Sequence, residues 1–208
     1  MKMPMSEPHL MDNYERAEFL EKLSAHIMRI YADKEDTLYK QLCSRDLNID
    51  DTLLAIFSKW GNWQEEVHES TYPSKNWQIR YSAIETSSFY ACFKSRLSIS
   101  KICPVFRIVH NFSIKNYDEN GLEDMIEGRC GLDYDTAEHI HAISLHIDAE
   151  LYLNQRGYTK IPAGQEYIAA YTAENNEAQF TIKDLLFTNK YHLWKKHVLQ
   201  HNNIHQDK

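Results

Sequence analysis

Twelve residues, NYDENGLEDMIE (Asn116 to Glu127), concentrate oxygen-bearing groups at a spacing that suits a hard cation. On a calcium-loop template, Asn116, Asp118, Asn120, the Leu122 carbonyl, Asp124 and Glu127 take positions one, three, five, seven, nine and twelve, with Gly121 at the bend. The carboxylates here and in LDYDTAE (Leu132 to Glu138) are also the ligand type of magnesium-dependent nucleases and phosphatases. Histidines form a second group. In HIHAISLHID, a helix would put His139 and His146 on one face about 10 Å apart, too far to share a metal unaided, and solvated or partner-facing histidines are the reading adopted. His197, His201 and His205 have chelating helical spacing but lie in a polar tail. His110 falls on the apolar face of a strand and reads as a hydrogen-bonded core histidine. There is no GxSxG, P-loop, GxGxxG or HExxH, and Cys43, Cys92, Cys103 and Cys130 have no metal-ligand spacing. The sequence therefore assigns no catalytic residue, no metal site and no cofactor.

Elements of differing period must position these groups. Residues 1–72 read as a helical N-terminal part. Asp12 with Glu15 forms a capping pair, and Phe19, Leu20, Leu23, Ile27, Ile30 and Tyr31 recur at helical spacing. DKEDTLYKQLCSRDLN makes a second helix, and DDTLLAIFSKW a third, capped by Asp50 or Asp51. WGNW and TYPSKN interrupt the helical pattern, and residues 73–117 turn to period two. Trp77, Ile79, Tyr81 and Ala83 alternate with polar residues, as do Phe89, Ala91, Phe93, Leu97 and Ile99, then Phe106, Ile108, Phe112 and Ile114. Three such runs predict an antiparallel meander covered by helices on its apolar face, and its other face carries Arg80, Lys94, Arg96, Arg107 and Lys115.

Residues 118–208 read as an acidic loop followed by C-terminal helices. The first helix runs from Asp135 to Gly157 with Ile140, Ile143, Ile147 and Leu151 on one side; GYTKIPAG is a loop; TIKDLLFTNKYHLWKKHVLQ is the last helix. NYDENGLEDMIE resembles the loop of the EF-hand family, over the loop alone. Position one is Asn, Glu123 stands at position eight where an apolar residue packs, a strand-like run precedes, and GRCGL follows where a helix belongs. A turn closing the third strand, with Asn120 and Gly121 at positive φ, is the reading adopted. The fold class is α+β: N-terminal helices, a central antiparallel meander and C-terminal helices packed on one face, in a single domain over 1–208.

Charge is unevenly spread within a formal net of -7. Between Asn76 and Tyr117 six cations face Glu85 alone; between Asp118 and Glu150 the acids face only Arg129. An acidic patch of that kind raises association rates with cationic proteins. The chain lacks an apolar leader and any run near the length of a membrane span, so a cytoplasmic location without a membrane partner is expected. The basic strands lack the aromatic repetition of an RNA-binding sheet, which counts against nucleic acid. In layout, a small, acidic, aromatic-rich α+β chain with one concentrated carboxylate patch and no catalytic motif resembles the immunity proteins that neutralise bacterial toxins. That resemblance implies stoichiometric binding of a cognate, basic protein without turnover. The expected contact region is Asp118, Glu119, Glu123, Asp124, Glu127, Asp133 and Asp135. The alternative is a metal-dependent hydrolase or nuclease that uses the carboxylates between 118 and 135.

Overall fold

Alternating β-branched and aromatic residues need one covered face, and they obtain it in a long antiparallel meander. The computed structural model describes residues 13–32, 36–47, 49–117, 123–129, 140–162, 164–167, 169–172 and 179–196. Strands β2 (Ser74–Glu85), β3 (Phe89–Ser100) and β4 (Val105–Tyr117) pair in sequence order, with Trp77 opposite Leu97 and Leu97 opposite Ile108. Helices α1 (Asn13–Tyr31), α2 (Thr37–Ser44) and α3 (Asp51–Trp60) precede them, and α4 (Ile140–Gln155) follows. The class is α+β, as the change of period predicts.

The sheet is wider than the three predicted strands. WGNW does more than interrupt a helix, because β1 (Asn62–Glu66) pairs along β2 from Asn62↔Arg80 to Glu66↔Asn76. Gly61 allows that turn: a Cβ there would lie 2.6 Å from the Arg80 carbonyl oxygen. On the far edge, β5 (Glu123–Arg129) pairs antiparallel with β4. GYTKIPAG is not all loop either, since β6 (Thr159–Lys160) runs parallel to Val105–Phe106.

A register shift between Arg80 and Ser82 corrects the predicted face of β2. The extra residue puts Ala83 opposite Cys92, on the Arg80 side, and Ile84 opposite Ala91. Ile84 thereby joins the Trp77–Ile79 face, though near the end of the strand it is exposed.

Two cores form. One lies between the sheet and helices α3 and α4, where Trp77, Ile79, Leu97, Ile99, Phe106 and Ile108 meet Leu53, Phe57, Leu145, Ala149 and Leu153. Asp50 is the α3 cap, its carboxylate accepting from Thr52 N at 3.0 Å and also from the Tyr152 hydroxyl at 2.7 Å. At the other end of the pair, Asp148 accepts from Lys59 Nζ at 2.9 Å and Trp60 Nε1 at 2.7 Å.

The second core joins the two ends of the chain. Leu23, Ile27, Ile30 and Tyr31 of α1 and Tyr39 and Cys43 of α2 pack with Ile182, Leu185, Leu186, Tyr191 and Trp194. The predicted last helix is broken. α5 (Ile182–Leu186) begins at a Thr181–Asp184 capping box, stops at Phe187, and helix resumes as α6 over 191–196. A hairpin of β7 (Ala169–Thr172) and β8 (Gln179–Thr181) leads into it.

Candidate functional site

Within the acidic segment, 123–129 is strand where the sequence predicts loop. Glu123, Asp124 and Glu127 belong to β5, opposite Tyr117, Asn116 and Ser113 of β4. Asp118, Glu119, Asp133 and Asp135 lie outside the described residues. Asn116 pairs with Asp124 while Ser113 pairs with Glu127, so loop positions one and twelve stand three rungs apart on two paired strands. The stretch is a pair of strands joined by residues 118–122, in line with the predicted reversal, and β5 ends the sheet order on that side among the described residues.

Register confirms that Arg80, Lys94, Arg96, Arg107 and Lys115 share one sheet face: Arg80 pairs with Lys94, Arg96 faces Val109, Arg107 faces Ser98, and Lys115 faces Tyr90. It is not an open basic patch. Arg96 is bonded to Glu66 of β1. Arg107 is buried, with its guanidinium 5.1 Å from the Phe187 ring, where the terminal core folds over this face. Ser74, Asn76 and Ser98 are buried beside it. Two of the five cations are thus withdrawn from the role of a solvated anion platform.

On the opposite face lies a polar relay that crosses the sheet core. Ser95 of β3 and His110 of β4 are buried, and Ser95 Oγ sits 2.5 Å from His110 Nδ1. His110 Nε2 is 2.9 Å from Nδ1 of His146 on α4. Nε2 of His146 is 3.2 Å from Lys160 Nζ, which in turn donates to Glu150 Oε2 at 2.7 Å. The core placement of His110 follows from its strand position. That of His146 corrects the expectation of a solvated or partner-facing residue, because it is 1% exposed.

The reason is a rotation of α4 relative to its predicted stripe. Its buried side is Ala142, Leu145, His146, Ala149 and Leu153, whereas Ile140, Ile147 and Leu151 are exposed. The small residues Ala142 and Ala149 face the core on that side, where His146 meets His110.

Electrostatics follow from burial. Desolvation above all, reinforced by the neighbouring His146 and Lys160, pushes the His110 imidazole down to about 3, so it is neutral at ordinary pH. Burial alone would raise the Glu150 carboxyl, but the adjacent His146 and the hydrogen bond from Lys160 outweigh it and hold the group below the ordinary glutamate range. Burial likewise raises the Tyr81 hydroxyl, which the Ser95 side chain partly offsets. A serine hydrogen-bonded to a histidine, backed by a second histidine and a carboxylate, has the order of a nucleophile relay. Ser95 is nevertheless 0% exposed, so in this conformation no substrate reaches its hydroxyl.

A polar cleft of about 220 Å³ opens elsewhere, between the end of α2 and the loop after β1. Arg45, Lys75 and Lys101 face Glu65, Glu66, Glu69 and His68 there. Much of that charge is internally matched: Lys75 with Glu65 at 3.4 Å, His68 with Glu66 at 3.3 Å, and Lys101 Nζ donating to the Cys43 carbonyl at 2.9 Å. Among the described residues no group of three or more His, Cys, Asp or Glu is placed to hold a metal, and no helix is long and apolar enough to cross a membrane.

The relay was missed in sequence because its members lie far apart in the chain and on elements of different period. A signal existed in His110 on an apolar strand face, since a buried imidazole requires partners. Compared with known proteins, the chain matches no family model, no curated protein and no solved structure.

Proposed function

We propose that the protein is a binding module that docks a cationic protein through the acidic edge of its sheet, in the manner of an immunity protein that holds a toxin one-to-one without turnover. The observation that carries this reading is the placement of Glu123, Asp124 and Glu127 on β5, the last strand of the sheet order on its side among the described residues. Edge strands offer backbone donors and acceptors for pairing, and carboxylates along them favour basic partners while disfavouring self-pairing. The cations of β2 to β4 are partly internal, Arg96 bonded to Glu66 and Arg107 buried, which counts against that face as the docking surface.

The test is kinetic. A partner captured from the cells of origin is purified, and its association with the wild type and with a Glu123→Lys, Asp124→Lys, Glu127→Lys variant is followed across ionic strength. Association is expected to slow on the order of tenfold or more in the variant, with most of the salt dependence lost. Equal rates with a folded variant remove the acidic edge from the reading. Turnover of a substrate that needs a divalent ion, abolished by single Asp→Asn changes between 118 and 135, would replace it with the hydrolase alternative.

A further inference from the structure

The buried relay joins four elements, β3, β4, α4 and β6, and the Lys160 ammonium at one end sets the direction of its hydrogen bonds. Lys160 is ion-paired with Glu150 at 2.7 Å and so presents N–H groups to His146 Nε2, which must accept. His146 then carries its proton on Nδ1 and donates it to His110 Nε2, and His110 in turn donates from Nδ1 to Ser95 Oγ. Both rings carry a proton on Nδ1 in this order. The opposite order would place a His146 N–H against the Lys160 ammonium.

Added protons meet different fates at the two rings. One on His146 Nε2 would face the Glu150 carboxylate, 3.5 Å away. One on His110 Nε2 would face the His146 N–H, in a pocket where both rings are almost wholly buried. The titratable and charged groups around His110 are Tyr81 from β2, His146 and Glu150 from α4, and Lys160 from β6. Glu150 is the one carboxylate among them, and it is engaged by Lys160 and His146. The ties of α4 to α3, from Asp148 to Lys59 and from Asp50 to Arg156, are carboxylate pairs without an imidazole.

We propose that His110 and His146 form a proton-sensitive latch fastening α4 to the sheet, and that a proton taken up at His110 releases α4 while the meander stays paired. The sign follows from linkage. A histidine held neutral by the fold stabilises the closed form fully above its free value near 6.5, and that contribution declines as pH falls toward the folded value of about 3. Opening of α4 is therefore favoured by about tenfold per pH unit below roughly 6, or about thirtyfold between pH 8 and pH 5, from His110 alone. Above pH 5 the carboxylates contribute little, and the His110→Gln variant separates this imidazole from the other histidines of the chain.

Amide hydrogen exchange on the full chain, corrected for intrinsic rates, tests this directly. Amides of Ala142 to Leu153 are expected to lose protection by that factor between pH 8 and pH 5, with those of β2 and β3 unchanged, and His110→Gln to flatten the response. A flat response in the wild type, or loss of helix and sheet protection in step, overturns the latch. If the variant fails to fold, ring ¹⁵N shifts of the wild type decide: two neutral Nδ1–H rings at pH 7 support the relay order, and a cationic or Nε2–H His110 refutes it.

Discussion

The two cores are fastened in different ways. Around the sheet, the polar group at the centre is a neutral histidine relay that ties β3 and β4 to α4. In the terminal core it is Tyr31, whose hydroxyl donates to the Leu185 carbonyl while its ring meets those of Tyr39, Tyr191 and Trp194 at 5.2–5.4 Å. A phenol buried in this way holds its proton over any accessible pH: burial first, then the neighbouring tyrosines and thiols, raise it well above its ordinary value. The sheet core therefore contains a group able to respond to acid, and the terminal core centres on one that does not. The contact of α1 and α2 with α6, closed by aromatic rings and an inert phenol, is insensitive to acid at this centre, whereas the α4 contact is conditional.

The largest test asks whether the two cores are separate at all. Phe57, fully buried against Trp77 at 5.9 Å between ring centroids, anchors the sheet core, and Leu185 anchors the other. Phe57→Ala is expected to cost about 3–5 kcal/mol and Leu185→Ala about 2–5 kcal/mol, read from urea unfolding followed by tryptophan fluorescence. Ile102, Cys103 and Val105 extend the sheet's β3–β4 connection into the terminal core. Both variants are accordingly expected to keep one transition with an unchanged slope. Two resolved transitions would show that the cores fold as independent units.

Smaller changes probe the central polar groups. Ser95→Ala removes the acceptor of a buried His110 N–H and is expected to cost about 1–3 kcal/mol. Tyr31→Phe leaves the Leu185 carbonyl without that donor, at about 1–2 kcal/mol. The pH dependence sharpens the contrast. Between pH 6.5 and 5 the loss of wild-type stability is expected to come from His110, whose freed imidazole titrates there, so it should shrink in His110→Gln and persist in Tyr31→Phe. An equal loss in both variants would mean that the relay is proton-inert.

How much of this was legible depended on whether a residue's neighbours in sequence were also its neighbours in space. The β2–β4 meander, the Asp50 cap and the shared face of five cations follow from local period, and all are present. β1 is five residues of mostly polar sequence whose pairing is supplied by β2, so it carried little period of its own. The bulge after Arg80 reverses a face with no visible mark in the run. For α4 the stripe of larger residues misled, because the sheet takes the side with alanines and a histidine while three large apolar residues stay outside. Of the acidic candidates, Glu123, Asp124 and Glu127 required β4 as a template before they could be read as strand.

Asp36 gives the finest comparison, a charge in the terminal core set against the neutral relay. It precedes α2 in left-handed backbone geometry, φ 59°, and accepts hydrogen bonds from the Tyr191 hydroxyl and Lys195 Nζ. It thus closes α6 onto the start of α2, at the cost of a conformation that aspartate and asparagine tolerate better than most residues. Burial alone would raise the carboxyl, but the Lys195 and Tyr191 hydrogen bonds hold it below the usual aspartate range. A depressed carboxyl contributes stability that is present above its free value near 3.9 and is lost as pH falls through the folded value. Asp36→Asn keeps the backbone preference and an acceptor oxygen while removing the charge, so it is expected to cost no more than about 1 kcal/mol at pH 7. Wild type and variant should then converge only below pH 4 in chemical unfolding, well after α4 has begun to loosen. Convergence already at pH 6 would mean that the Asp36 contacts are mainly neutral hydrogen bonds, and the terminal core would owe its closure to the stacked Tyr39 and Tyr191 rings, 3.8 Å apart.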